Sequence, residues 1–315
     1  MTLPTVHDWE HILATGCPVP QPAQRLDATT ALVGALGDPD ARLREIVAPS
    51  VLGAWIEAGT YDDLLPGLGD GLLAGLRSSR VSGAGADSDA ARDLALHGRC
   101  GRADALSLVV ARDSRHRLVP REQVLDWADR SVSWLLDERD LRAATPFGTA
   151  DAIGRGAVLV ATLAASPVLR ADELLVLLDV LSERAATPAD PPLTPLQADA
   201  LAFAAVSVLE RDLVAVQDVE AWVDRLGDVA SGLEPPTGTA MAPRANVLAM
   251  LGALHTELVL GVASTPVRAL ARALDPRADR VARPADRSDL VLAVQRALRN
   301  AAPWLYHNPG APAAG

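Results

Sequence analysis

The sequence predicts an all-α fold, an irregular stacked array of about a dozen amphipathic helices. Three observations carry this expectation. Apolar residues recur at spacings of three and four along nearly the whole chain. No run alternates apolar and polar residues as a half-buried strand would, and Pro, Gly and Asp punctuate the periodic segments.

In chain order, helices are expected at 6–15, 26–36, 40–58, 62–77, 90–112, 121–138, 150–165, 171–186, 195–211, 216–230, 243–262, 265–274 and 287–302. Trp9, Ile12 and Leu13 give the first a docking face. Asp38-Pro39 and Thr194-Pro195 mark two starts, each an N-cap residue followed by a proline in the first turn. Leu64, Leu65, Leu68, Leu72, Leu73 and Leu76 form the stripe of the fourth helix, and Val124, Trp127, Trp134 and Leu135 that of the sixth. Ser78–Asp89, Thr187–Leu193 and Leu233–Pro243 read as loops. The last sets a division into a helical domain over 1–232 and C-terminal helices over 243–306, followed by a flexible tail over 307–315. Leu36-Gly37-Asp38-Pro39-Asp40-Ala41-Arg42-Leu43-Arg44 resembles the turn and second-helix opening of a HEAT-type repeat, with Asp as the cap and Arg tying neighbouring turns. A HEAT-like array follows, because a lone helix pair cannot hide its apolar face.

Composition removes whole classes of chemistry. Not one lysine occurs, so all 29 positive charges are arginines, and Schiff-base, pyridoxal and Walker-type nucleotide chemistry lack their lysine. The arginine-only, Ala-, Leu- and Asp-rich usage points to a bacterial source with a GC-rich genome. A net charge of −11 makes nucleic acid a poor partner, since phosphate binding needs clustered positive charge. Two cysteines, Cys17 and Cys100, suit a reducing compartment, and Asp8, Glu10 and two histidines interrupt any leader-like start, so a cytoplasmic location is expected. The longest apolar run, 156–169, contains Pro167 and falls short of the roughly 20 residues that span a bilayer, so no membrane association is expected.

Several motifs carry a sharp reading beside a plain one. His7-Asp8-Trp9-Glu10-His11 matches H-x-x-E-H of one zinc-peptidase class, but docking through Trp9 with solvent-facing histidines needs no distant third ligand. Gly67-Leu68-Gly69-Asp70-Gly71 suggests a phosphate cradle, yet it follows no strand and lies on a leucine stripe, the pattern of a packed helix. His97 and Cys100 share a helix face without a second pair to complete a metal site. Trp127 and Trp134 share a stripe that packs a core or walls a ligand groove. Arg142, in Glu138-Arg139-Asp140-Leu141-Arg142, is a solvated charge or an anion clamp.

Asp8-Trp9-Glu10 with Ile12-Leu13, Asp38-Pro39-Asp40 to Arg44, Trp55-Ile56, Asp87-Ser88 with Arg92, Glu138 to Arg142 and Leu175 to Leu181 follow one another over residues 8–230 in an order that resembles a bacterial family, domain of unknown function 2785. The resemblance implies an all-helical, HEAT-like protein and no particular reaction. That family shows Gly-Trp-Ala-His, three residues, His, two residues and Asp. Here Gly148 and Ala150 match, while Thr149 replaces Trp, Asp151 and Arg155 replace the two histidines, and Val158 replaces Asp. An i, i+4 imidazole pair has become an Asp–Arg combination able to form an ion pair.

The leading expectation is a helical-array protein that binds a protein or small-molecule partner in its groove, with no metal and no cofactor. Arg142, Arg155, Trp127 and Trp134 are the candidate ligand-binding residues. The alternative is a metal-independent enzyme of isomerase, cyclase or hydrolase type acting on a small organic substrate. In it Asp151 is the general acid or base, Arg142 or Arg155 stabilises an anion, and the helix opening after Pro146 points at that anion. A closed apolar pocket with a buried ionisable group would separate the two.

Overall fold

Nearly every apolar-periodic segment forms a helix. The computed structural model describes residues 6–77, 88–232, 241–261 and 284–303. Its α-helices are α1 (Val6–Ala14), α2 (Pro22–Ala35), α3 (Ala48–Glu57), α4 (Leu65–Arg77), α5 (Asp89–His116), α6 (Arg121–Asp137), α7 (Ala152–Ala164), α8 (Ala171–Ala186), α9 (Pro195–Leu209), α10 (Val216–Ser231), α11 (Met241–Leu260) and α12 (Arg287–Ala301). The helix expected at 265–274, the tail over 307–315 and most of the two stretches at 78–89 and 233–243 lie outside the described residues. None of the described helices is long and apolar enough to cross a membrane.

The chain divides into two compact units, one holding the described residues up to Leu169 and the other those from Arg170. In the first, α5 is the central helix and packs against α2, α3, α4 and α7. Ser88 Oγ accepts from Ala91 N at 3.1 Å to start α5. The helix runs four residues beyond its expected end because Asp113 Oδ1 accepts from Leu118 N and Val119 N, covering the turn that follows Arg117 in the left-handed region. In the second unit α11 packs against α8, α9, α10 and α12 through Val247, Met250, Leu251, Leu254 and Leu258. Trp222 Nε1 donates to Leu178 O at 3.0 Å, and Asn246 Oδ1 accepts from Leu193 N at 2.9 Å.

Of the two predicted N-caps, Thr194 performs as expected: its Oγ1 accepts from Gln197 N, and Gln197 Oε1 accepts from Thr194 N in return. At the other, Asp38 Oδ1 is taken by Asp40 N, and Asp40 Oδ1 accepts from Arg42 N and Leu43 N. Asp40 is therefore the working cap in place of Asp38, which folds the turn before it. The helix that follows opens with a π-helical turn over Leu43–Val47. Pro49 explains it: without an N–H it cannot bond Glu45 O four residues back, and Ala48 N bonds Leu43 O instead.

One difference from the sequence reading matters for the site. Residues 144–149, expected as a break, form a small antiparallel hairpin, β1 (Ala144–Thr145) with β2 (Gly148–Thr149). Gly148 makes its turn possible at φ +124°, a conformation side-chain-bearing residues rarely adopt. The glycine run 67–71 lies inside α4, as its leucine stripe implied, and Gly69 receives the Trp127 indole. A Cβ at Gly69 would sit 2.2 Å from Trp127 Cζ2.

Candidate functional site

A cleft of about 790 Å³ opens in the first unit between the helix over 43–57 and α5. Glu45, Pro49, Ser50, Gly53, Ala54 and Glu57 form one wall, and His97, Cys100, Gly101, Asp104, Ala105 and Leu108 the other. Both sets recur at helical spacing, so each wall is one helix stripe, and the α5 stripe rises about 16 Å. Leu36 and Leu52 add apolar surface, while Arg44, Thr149 and Arg155 bring polar groups. Small residues line both walls: Ser50 and Ala54 are exposed to the space, while Gly101 admits Leu36, whose Cβ lies 2.9 Å from where a Cβ at Gly101 would stand.

Arg44 is buried and holds the hairpin to the cleft. Its Nη1 donates to Asp38 O at 2.6 Å, and its Nη2 to Glu45 Oε1 at 2.7 Å and to Phe147 O at 2.6 Å. His97 Nε2 lies 2.9 Å from Thr145 Oγ1, which also accepts from Phe147 N. Burial, followed by the nearby Arg44 charge, lowers the His97 pKa. The Cys100 thiol is raised far above its usual range by burial and stays protonated.

The central ionisable group is Asp104. Its Oδ2 pairs with Arg155 Nη1 at 2.8 Å, while its Oδ1 is buried without a hydrogen-bond partner. Burial pushes its carboxyl up to about 6 although the Arg155 charge and hydrogen bond pull the other way. A group so poised exchanges protons near neutrality.

The residues singled out from sequence do not form one site. Arg155 lines the cleft, paired with Asp104 on α5. Asp151 is the N-cap of α7, its Oδ1 accepting from Gly154 N at 2.9 Å, so the anion at this helix N-terminus is the chain's own carboxylate. Arg142 is held by two acids, Asp93 at 2.7 Å and Asp140 at 2.6 Å, which raises its pKa and lowers that of Asp140. Trp127 is core, its indole N–H bonded to Asp70 Oδ1 at 2.9 Å. Trp134 borders a second cleft of about 450 Å³, whose other residues include Arg99 and Glu138, themselves an ion pair at 2.7 Å. His7 and His11 are exposed on α1, whose Trp9 meets Trp55 edge-on with ring centres 6.2 Å apart. Among the described residues no group of three or more His, Cys, Asp or Glu side chains is arranged to hold a metal ion.

Asp104 was missed in the sequence. Its signal was a single charged residue on the stripe 97, 100, 101, 104, 105, 108, whose other members are small, apolar or weakly polar.

The fold and cleft define an all-helical protein with a solvent-reachable acid–arginine pair between two helices. The chain matches the family described as protein of unknown function (DUF2785) over residues 94–256, just over half its length, and belongs to that family. The match takes in α7 and most of α5, and with them the Asp104–Arg155 pair. Neither the curated proteins nor the solved structures include a match to the chain.

Proposed function

We propose that this protein binds a small organic molecule in the cleft between α3 and α5. The observation that carries the reading is one space of about 790 Å³ in which apolar walls converge on Asp104, Arg155 and His97, the composition of a ligand site. A HEAT-like stacking of helix pairs suits such a groove, and the Arg44 tie between the 38–40 turn and Phe147 supports it. The free thiols of Cys17 and Cys100 accord with work in the reducing cytoplasm of a bacterium.

Ser50 and Ala54 are exposed on the cleft wall, so Ala54→Trp and Ser50→Trp fill the space without disturbing the core. Thermal-shift screening of a metabolite library against wild type identifies stabilising compounds, and both variants lose that stabilisation. Hits that stabilise the variants equally well refute the cleft as their site.

A second reading, metal-independent catalysis, is favoured by the Asp104 carboxyl pushed up to about 6. The acid–base role assigned from sequence to Asp151 passes to Asp104, with Arg155 placed to stabilise a developing anion. Turnover of a screened compound that Asp104→Asn abolishes while binding persists would favour this reading over binding alone.

A further inference from the structure

Arg155 has 26% of its side chain exposed and pairs with Asp104 through one nitrogen, Nη1. A guanidinium offers five N–H donors in a planar fork that suits a carboxylate on two of them. Asp104 uses only Oδ2 here, because Oδ1 is turned into the protein. The other cleft acids already have cations: Glu45 has Arg44, and Glu57 is held on both oxygens by Arg115. Arg44 is further committed to backbone carbonyls. The remaining Arg44 donor, Nε, is buried in the protein, so among the described cleft residues Arg155 is the cation with solvent-reachable donors for an incoming group. Beyond it Leu52, Gly53, Ala54, Ala105 and Leu108 provide an apolar trough along the two helices.

We infer that the ligand is an elongated amphipathic acid, its carboxylate on the open donors of Arg155 and its apolar tail in the trough between α3 and α5. This rests on the small-molecule reading and adds the ligand's charge and orientation. It also makes binding proton-linked. Two carboxylates on one guanidinium repel each other, and the repulsion is relieved when Asp104 takes a proton from solvent. The charged and titratable groups that face Asp104 are Arg155 and Asp151 from α7, Arg44, Glu45 and Glu57 from the helix over 43–57, and His97, Arg99 and Cys100 on α5 itself. The described residues of α2 and α4 bring no charged side chain to the cleft. The Cys100 thiol remains neutral and burial disfavours the charged form of His97, while Asp104 takes up a proton as neutral solution becomes mildly acidic.

The test is calorimetric titration of the full chain with octanoate, octanol and octylamine between about pH 8 and pH 6, where octanoate stays ionised. Octanoate is expected to bind about tenfold or more tightly than the other two, and about three- to tenfold more tightly at pH 6 than at pH 8. Arg155→Gln and Arg155→Lys should each weaken it by about tenfold or more, the second because lysine keeps the charge but not the fork. Asp104→Asn should bind tightly at both pH values. Octanol binding as well as octanoate, a preference for octylamine, or unchanged affinity in both Arg155 variants overturns the inference, as does failure of octanoate to bind at millimolar concentration. Octanol binding that Ala54→Trp abolishes would reject the acid while leaving the small-molecule site standing.

Discussion

Two helix contacts in the first unit use small residues to opposite ends. Between α4 and α6, Gly69 leaves a notch that the Trp127 indole fills completely, and Asp70 fastens the indole N–H. Between α3 and α5, Leu36 packs onto Gly101, but the exposed Ser50 and Ala54 face space that no side chain of the chain fills, and the result is the cleft. Small residues on a helix therefore do not by themselves specify close packing. What decides is whether the facing stripe supplies a large side chain, and α6 supplies tryptophan where α5 supplies glycine, alanine and a lone aspartate.

Breaking the filled contact should have the largest effect. Trp127→Ala empties the Gly69 notch and removes the indole donor from Asp70, which keeps Gln123 and Arg130, and a loss of about 3–5 kcal/mol in denaturant unfolding is expected. A loss below about 1 kcal/mol would mean that the notch collapses onto the void.

Next comes the helix that carries Arg155 to the cleft. Asp151→Ala removes the cap of α7 and should cost about 1 kcal/mol, whereas Asp151→Asn or Asp151→Ser should recover most of it. If Asp151 acted mainly through its charge, neither neutral replacement would rescue stability, so melting temperatures of the three variants decide the point.

The unfilled contact gives an effect that depends on pH. The Asp104 carboxyl sits at about 6 in the folded protein and near 3.9 unfolded, so the folded state holds the extra proton between those values. Its contribution to stability thus declines as pH rises from about 4 to about 6 and is level above. Asp104→Asn lacks this decline. Its melting temperature relative to wild type should climb across that window and then plateau, and a constant difference would show that Asp104 titrates as an exposed carboxylate.

The helices were legible because their apolar spacing is a local property, as the Leu64–Leu76 stripe and the Thr194-Pro195 start illustrate. The hairpin at 144–149 was not, since its two-residue strands are too short to show alternation. Of the candidate site, Arg155 was found because the family's histidine pattern marks its position. Asp104 was invisible because its significance depends on Arg155, some fifty residues onward, and on Gly53 and Ala54, some fifty residues back. Trp127 and Arg142 looked like ligand contacts for the converse reason: their partners, Asp70 and Asp93, lie far off in sequence and satisfy them internally.

The wide turn at 43–47 governs the angular phase of a whole wall. Buried residues in this helix come as doublets four apart: Leu43-Arg44, Val47-Ala48, Val51-Leu52 and Trp55-Ile56. On an ideal α-helix each step of four overshoots a full revolution by about 40°, so three steps would carry the last doublet roughly a third of the way around. A π-helical turn takes more residues to close and winds part of that excess back, which keeps Leu43 and Val47 on the same buried side as Val51 and Trp55 while Ser50, Ala54 and Glu57 face the cleft. Pro49, by withholding one N–H, thus acts as the setting screw for which way the cleft wall faces.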